Sequence, residues 1–320
     1  MLKAFILFAV GLVFLIKGGD WFVDGSVSLS HRLRVPELLI GATVVSIGTT
    51  LPEVMVSATS AVSGHGQIAY GNALGSIICN TSLIAAVTIA IRPDKTDRKS
   101  LMLPAAFFLF AAVFYAVTAY TFGYFSRASG IILLVVFLAY MIISVRSARS
   151  GNADDGENAA PQKGNLFLDI LWLVLGAALI AVGADLLVDN GTVIAKGLGV
   201  PESVIGLTIV ALGTSLPELV TAITALTKGH GALSLGNIIG ANLFNIVLVS
   251  GLSSALSPFA VPTENTLFNL PASFVVDIPV MFGVSLLLII PALLKGRLYR
   301  IQGILLLTVY AAFCIFQFAV

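Results

Sequence analysis

The sequence GTTLPE, at residues 48–53, lies inside a long apolar stretch, and GTSLPE recurs at residues 213–218. In each copy a proline stands next to a glutamate where the surrounding sequence predicts a helix. Proline removes one backbone N–H from a helix and clashes with the carbonyl group four residues earlier. A single kink of this kind is typical of packing or of a helix start. Two copies in matching surroundings indicate a functional site instead.

The composition around these motifs is typical of an integral membrane protein. The chain has 320 residues, of which 58% are hydrophobic and 10% are charged, and its mean hydropathy is +1.03. Soluble domains are about a quarter charged, so little of this chain is left for a soluble domain. The formal net charge of +1 gives no indication of a nucleic-acid partner. Cys79 and Cys314 lie in apolar runs, and no disulfide framework is expected.

Ten apolar runs are long enough to cross a membrane. A hydrocarbon core of about 30 Å requires about 20 residues of helix. The runs that meet this length fall near residues 3–29, 37–63, 68–91, 101–121, 127–147, 166–193, 202–227, 231–256, 272–294 and 299–319. The sequence therefore predicts an all-α membrane protein with ten transmembrane helices.

One polar segment, residues 146–165, divides these runs into two groups of five. The predicted organisation is a first unit over 1–148, a linker over 149–165 and a second unit over 166–320. Thirteen Lys and Arg residues fall in the connections on the linker's side of the membrane, and three fall in the connections on the other side. Because cytoplasmic connections carry the excess of positive charge, we expect a cytoplasmic linker and two outer termini. This describes a multi-pass protein of the plasma (inner) membrane.

An internal repeat relates the two units. Residues 41–80 align without a gap with residues 206–245, and each residue pairs with the one 165 positions later. Because five helices are an odd number, the second copy enters the membrane from the opposite side. The sequence thus predicts two inverted five-helix repeats, each with a broken helix that carries the repeated motif. Inverted repeats are typical of secondary transporters that bind their substrate near the middle of the membrane.

The repeated segments also supply ligands for a cation. Glu53 and Glu218 fall near the middle of their helices, where an ionised side chain costs about 3 kcal/mol or more. Two such carboxylates would repel each other unless a divalent cation lay between them. Neutral oxygen ligands near them are the carbonyls of Gly48 and Gly213, the hydroxyls of Thr50 and Ser215, and the amides of Asn72, Asn80, Asn237 and Asn245. Hard oxygen ligands of this kind favour Ca²⁺.

These motifs resemble those of the sodium/calcium exchangers, in the prokaryotic branch of the cation/calcium antiporter superfamily. The resemblance covers nearly the whole chain and rests on G-T-[ST]-L-P-E followed by G-N-x-x-G-[SA]-x-x-x-N in both copies. It implies that Ca²⁺ and Na⁺ are exchanged by alternating access, that both ions bind Glu53 and Glu218, and that the first helix of each repeat slides across a rigid core. The other ligands it implies are the carbonyls of Thr49 and Thr214 for Ca²⁺, the carbonyls of Ser46 and Ala211 and the hydroxyls of Thr50, Ser215 and Ser76 for Na⁺, and the side chains of Asn80 and Asn245 at the centre.

Two positions depart from the pattern of this family. Ala241 stands where many relatives carry serine, so one Na⁺ site lacks a hydroxyl. Asn245 stands where potassium-dependent relatives carry aspartate, which argues against K⁺ transport. A Ca²⁺/H⁺ antiporter that uses the same two carboxylates is the alternative function, and a cation channel is a further one.

The sequence contains neither a His-Glu-x-x-His zinc motif nor a convincing nucleophile–base pair, so we expect no enzymatic activity and no cofactor. The expected partners are Ca²⁺, Na⁺ (replaced by H⁺ in the alternative function) and the lipid bilayer. We expect no nucleic acid, and a protein that functions as a monomer.

Overall fold

The computed structural model describes residues 2–93, 95–151, 165–198, 213–263, 266–267 and 269–319. These residues form ten helices: α1 (Leu2–Leu33), α2 (Glu37–Val62), α3 (Gly66–Ile91), α4 (Arg98–Phe122), α5 (Arg127–Gly151), α6 (Leu166–Gly197), α7 (Leu216–Thr227), α8 (Gly231–Leu256), α9 (Ser273–Lys295) and α10 (Arg300–Ala319). Four strands of two residues connect them: β1 (Tyr124–Phe125) pairs antiparallel with β2 (Phe259–Ala260), and β3 (Thr266–Leu267) pairs antiparallel with β4 (Leu270–Pro271).

The helices confirm the prediction of an apolar, helical membrane protein. Within the described ranges, nine helices are long and apolar enough to cross a membrane. They match nine of the ten predicted runs. Helix α7 is a shorter apolar helix of 12 residues and matches the second part of the run predicted at 202–227. The first part of that run, and most of the linker predicted at 149–165, lie outside the described residues.

Several helices contain a π-helical segment, a wider turn that is frequent at functional sites. Helix α2 has one at Gly41–Val45, α3 at Asn80–Ala85 and α8 at Asn245–Ser250. The segment in α8 begins and ends 165 positions after the segment in α3. The hydrogen-bonding pattern therefore changes at equivalent asparagines, Asn80 in α3 and Asn245 in α8. Helix α9 also begins with a π segment, at Ser273–Asp277.

The helix that carries the first copy of the motif is not broken at Pro52, as the sequence predicted; its irregular segment is the π-helical one, which lies earlier. Residues Ser46–Val62 form a continuous α-helix through Pro52, and the π segment of α2 precedes the motif. One missing N–H bends a helix without ending it, which explains how the helix continues past the proline. In the second copy, Thr214 and Ser215 form a turn, and α7 begins at Leu216.

Helices α1 and α6 pack against each other backbone to backbone. A Cβ atom added at Gly11 would lie 2.9 Å from the carbonyl oxygen of Gly183, and one added at Gly18 would lie 2.9 Å from that of Gly176. Residue numbers rise along α1 as they fall along α6, so the two helices are antiparallel. Gly176 and Gly183 follow Gly11 and Gly18 by 165 residues, so each contact has its counterpart in the other copy. Such small residues allow the closest approach of membrane helices.

The two largest apolar clusters of the described residues join most of the helices. The larger one joins α3, α4, α8 and α9 and contains the buried rings of Tyr70, Tyr115, Phe108 and Phe244. The smaller one joins α1 and α6 to α2, α7 and α8, for example through Phe22. The α1–α6 pair therefore has its own contact surface with the rest of the protein. This surface lies beside the helices that carry the repeated motif.

Candidate functional site

Glu53 of α2 and Glu218 of α7 form the centre of the site. Both side chains are fully buried, at 0% exposure, and their charges lie close enough to interact. None of the four carboxylate oxygens has a hydrogen-bond partner among the described residues. Thr49 and Thr50 lie beside Glu218, but their hydroxyls do not reach hydrogen-bond geometry. A buried charge without a partner is strongly unfavourable, so this pair requires a cation or protons.

Two asparagines connect the copies in equivalent ways. Thr49 Oγ1 donates to Asn237 Oδ1 at 3.2 Å, and Thr214 Oγ1 donates to Asn72 Oδ1 at 3.5 Å. Thr214 follows Thr49 by 165 positions, and Asn237 follows Asn72 by 165 positions. The same contact is therefore made twice, once from each copy. It places a threonine of each motif against the helix that follows the motif in the opposite copy.

Further polar contacts surround Glu53. Ser46 donates to the Gly41 carbonyl at 2.8 Å and to the Asn237 carbonyl at 3.0 Å. Asn72 Nδ2 donates to Ser57 Oγ at 2.9 Å and to the carbonyl of Glu53 at 3.4 Å. These contacts fix α2 against α3 and α8. The Glu53 carboxylate itself takes no part in them and is left to bind another group.

Asn80 and Asn245 are the first residues of the π segments in α3 and α8. Both amides are fully buried, and neither the nitrogen nor the oxygen has a hydrogen-bond partner in the described part of the chain. The π segment of α3 packs against α7, and that of α8 packs against α2. Each asparagine therefore begins a segment that contacts the helix bearing a glutamate. An unsatisfied buried polar group costs about 1–3 kcal/mol, and a cation coordinated by the amide oxygen would remove this cost for the oxygen.

The remaining candidate ligands divide into three groups. Thr50, Ser76 and Ser215 are buried, and the Thr50 hydroxyl lacks a partner among the described residues. Thr49, Thr214, Ser46, Asn72 and Asn237 are used in contacts between elements, which leaves their backbone carbonyls to be considered as ligands. Ala211 lies outside the described residues.

The structure adds residues that the sequence interpretation missed. Thr221 follows Glu218 on α7, is fully buried and has an unpartnered hydroxyl among the described residues. Ser57 follows Glu53 by one helical turn and binds Asn72. Helical spacing of three or four residues from each glutamate could have indicated both. The Cys79 thiol lies beside Ser215 and near Glu218.

A cavity of about 850 Å³ lies between α2, α6 and α7. Gly48 and Pro52 line it on one side, and Thr214 and Pro217 line it on another. Its wall on α6 extends to Asp185 and Asp189. The turn at Thr214 in the second copy therefore faces a cavity, where membrane proteins tolerate non-helical backbone.

We expect Asn237→Ala to lower the affinity for Ca²⁺ about tenfold, because the Thr49 hydroxyl loses its acceptor and the Thr49 backbone loses its support. Calorimetric titration of the purified protein with Ca²⁺ measures this affinity. Asn242→Ala is the matched control, since Asn242 lies on the same helix and donates to Thr81 instead. Equal losses in the two variants would contradict the assignment of Asn237 to the site.

Comparison with known proteins shows the family of this chain. The family model described as sodium/calcium exchanger protein matches residues 3–146 and 168–319. The sodium/calcium exchanger MaX1 of Methanosarcina acetivorans is 33% identical over 351 residues, which cover 98% of each chain. The inner membrane protein YrbG of Escherichia coli is 35% identical over 265 residues, which cover 81% of each.

A solved structure of the sodium-calcium exchanger NCX_Mj, soaked with Na⁺ and Sr²⁺, has the same fold. Its TM-score is 0.80 at 32% sequence identity, and the match covers 97% of both chains. The chain matches these relatives in sequence and in fold over nearly its whole length. The members of this family are transporters. The chain therefore belongs to the sodium/calcium exchanger family, a family of membrane antiporters.

Proposed function

We propose that this protein exchanges Ca²⁺ for Na⁺ across the membrane by alternating access at a site formed by Glu53 and Glu218. One observation carries the proposal: two fully buried carboxylates, one from each copy of the motif, interact with each other and have no hydrogen-bond partner among the described residues. One Ca²⁺ neutralises both charges. Na⁺ ions at the same carboxylates compete with it.

The proposed architecture is a pair of inverted five-helix repeats. Three observations support it: the π segments recur at the same offset, the Thr–Asn contacts occur twice, and α1 runs antiparallel to α6. An antiparallel first helix is what a second repeat of opposite orientation requires. The site then lies on the pseudo-two-fold axis that relates the two repeats, so it can be opened to either side of the membrane.

Each group has a proposed role in binding. Glu53 and Glu218 hold both kinds of cation, and the carbonyls of Thr49 and Thr214 complete the Ca²⁺ site. The Na⁺ ligands would be the carbonyls of Ser46 and Ala211 with the hydroxyls of Thr50, Ser215 and Ser76. Asn80 and Asn245 line the central position, and Asn72 and Asn237 orient the motif threonines.

The charge of the two carboxylates explains why the protein would exchange cations rather than let them pass in one direction only. Without cations, two negative charges would have to cross between conformations in a medium of low dielectric constant, where their repulsion is strong. Cation binding removes this penalty, so loaded states interconvert and the unloaded state does not. The change between states would be a displacement of the α1–α6 pair across α2 and α7, since this pair has its own contact surface.

The proposed orientation follows the positive-charge bias. The linker faces the cytoplasm and both termini face outward in the plasma (inner) membrane. A monomer suffices for transport, because both carboxylates come from one chain. Protease cleavage within the linker of inside-out and right-side-out vesicles tests the orientation, and cleavage is expected only in the inside-out preparation.

A Ca²⁺/H⁺ antiporter is the second candidate. Ala241 favours it, because it offers no hydroxyl for a Na⁺ ligand, and each carboxylate could carry a proton. The hydroxyls of Thr50 and Ser215 and the paired asparagines favour Na⁺, because protons need no such cage of neutral oxygens.

Transport into proteoliposomes separates the two candidates. We expect ⁴⁵Ca²⁺ uptake to follow an outward Na⁺ gradient and to be unaffected by a pH gradient of equal size at symmetric Na⁺. Empty liposomes are the control. Uptake that follows the pH gradient alone would favour proton exchange, and current through single channels would favour the channel.

A further inference from the structure

Lys228, in the turn between α7 and α8, joins the α1–α6 pair to the rest of the protein. Its Nζ lies 2.8 Å from Asp24 Oδ1 and 3.2 Å from Asp20 Oδ1, both on α1. The same Nζ donates to the Asp20 backbone carbonyl at 3.2 Å. One ammonium therefore holds two carboxylates and a carbonyl of the neighbouring helix. We call these contacts the Lys228 latch.

The backbone brings α1 and α7 together next to this latch. A Cβ added at Gly19 would lie 2.8 Å from both Thr224 Oγ1 and Val220 Cγ1, on α7. The Lys228 side chain is 28% exposed, but those of Asp20 and Asp24 are 37% and 63% exposed, so water weakens both ion pairs. Burial lowers the pKa of Lys228, but the hydrogen bonds and charges of Asp24 and Asp20 raise it by more, and the net shift is upward. The ammonium is thus charged whenever the latch is formed.

The other copy of the repeat has the carboxylates without the cation. Asp185 and Asp189 are the residues of α6 that follow Asp20 and Asp24 by 165 positions. The counterpart of Lys228 is Ser63, which carries no charge. At this end the wall of the 850 Å³ cavity includes both aspartates. The two ends of the α1–α6 pair therefore differ in a way that the repeat alone would not produce.

We propose that the Lys228 latch holds the α1–α6 pair against α7 and sets the resting balance between the two access states. The latched state keeps the Asp20–Asp24 end closed and leaves the cavity at the Asp185–Asp189 end. Ser63 cannot form the ion pair with Asp185 and Asp189 that Lys228 forms with Asp20 and Asp24. This inference rests on the proposed alternating access, and it adds a cause for a bias between the two states.

A contact inside the α1–α6 pair provides a matched comparison. Arg32 Nε of α1 lies 2.8 Å from Asp169 Oδ2 of α6. Its N–O distance equals that between Lys228 and Asp24, its side chains are less exposed, at 22% and 13%, and both partners belong to the same pair of helices. Movement of that pair as a unit leaves it intact. Removing it should not change the balance between access states.

Cysteine labelling measures the balance directly. Two reporters are placed in a Cys79→Ala, Cys314→Ala background: Thr224→Cys, covered by α1 at Gly19, and Ala181→Cys, in the cavity wall. The rate of reaction with a small water-soluble thiol reagent is measured in detergent. Lys228→Gln is expected to raise the rate at Thr224→Cys about three- to fivefold, the shift that a partly exposed ion pair can produce. It is expected to lower the rate at Ala181→Cys by about a third. Lys228→Arg keeps the charge and should return both rates to those of the parent.

Three results would overturn the proposal. In the first, both labelling rates are unchanged in Lys228→Gln. In the second, Arg32→Gln changes both rates as much as Lys228→Gln does. In the third, only the rate at Thr224→Cys rises, which would show that the contact between α1 and α7 loosens locally without a change of access state. If Lys228→Gln does not fold, the Asp20→Asn, Asp24→Asn double variant removes the same ion pairs from α1. The labelling rates do not depend on which ion is carried. A failure of the proposed cation site would instead appear as unchanged Ca²⁺ binding in glutamate variants, with the labelling result still readable.

Discussion

Glu53→Gln and Glu218→Gln are each expected to lower Ca²⁺ affinity at least about 100-fold, because removing one carboxylate of a buried charged site costs about 3 kcal/mol or more. The same substitutions should raise the thermal stability of the Ca²⁺-free protein. Each one removes a buried charge that has no partner and ends the repulsion between the two glutamates. Calorimetric titration measures the affinity, and thermal unfolding with and without Ca²⁺ measures the stability.

These opposite effects separate a binding role from a structural one. A ligand stabilises only the state that binds it, so the Ca²⁺-dependent rise in melting temperature should disappear in both variants. Glu37→Gln is the matched control: Glu37 opens the same helix and contacts His230 at 3.0 Å, outside the site. Retained Ca²⁺ binding in Glu53→Gln and Glu218→Gln would contradict the proposed site.

Gly236→Ala is expected to destabilise the protein by about 2–3 kcal/mol, a typical cost of overpacking. A Cβ at Gly236 would lie 2.1 Å from the carbonyl oxygen of Leu38, and this atom belongs to backbone that cannot rotate away. Gly41 makes the opposing contact, since its Cβ would lie 2.4 Å from the carbonyl oxygen of Leu233. Separating α2 from α8 would also move Thr49 away from Asn237, so Ca²⁺ affinity should fall together with the melting temperature.

Gly283→Ala makes the same change within helix α9. Apart from the adjacent residues and the backbone of its own helix, nothing in the described part of the chain lies within 4 Å of a Cβ at Gly283. We expect unchanged or slightly higher stability, because alanine is favoured over glycine within helices by about 1 kcal/mol. Similar melting temperatures for Gly236→Ala and Gly283→Ala would show that the α2–α8 contact does not require glycine.

The family of the protein and the chemistry of its candidate site were predictable from the sequence. The length of each apolar run is a local property, and it predicted helices in a membrane. The gapless repeat compares residues at one offset, and it selected Glu53, Glu218 and the four asparagines before any coordinates. These signals need no knowledge of which helices touch.

Other features depended on the packing of distant segments. The π segment of α2 precedes the predicted break at Pro52, because a single missing N–H bends a helix without ending it. Thr221 is an ordinary helical residue in the sequence, and its buried, unpartnered hydroxyl is evident only once the helix is packed.

The sequence by itself determined the types of ligand and their duplication, since both are recorded in residue identity and spacing. Only the tertiary structure decided that Thr49 meets Asn237, 188 residues away, and that Lys228 meets Asp20 and Asp24. The physical reason is that each contact joins side chains of different helices. Their separation is set by how closely glycine-bearing backbones approach, which no local pattern specifies.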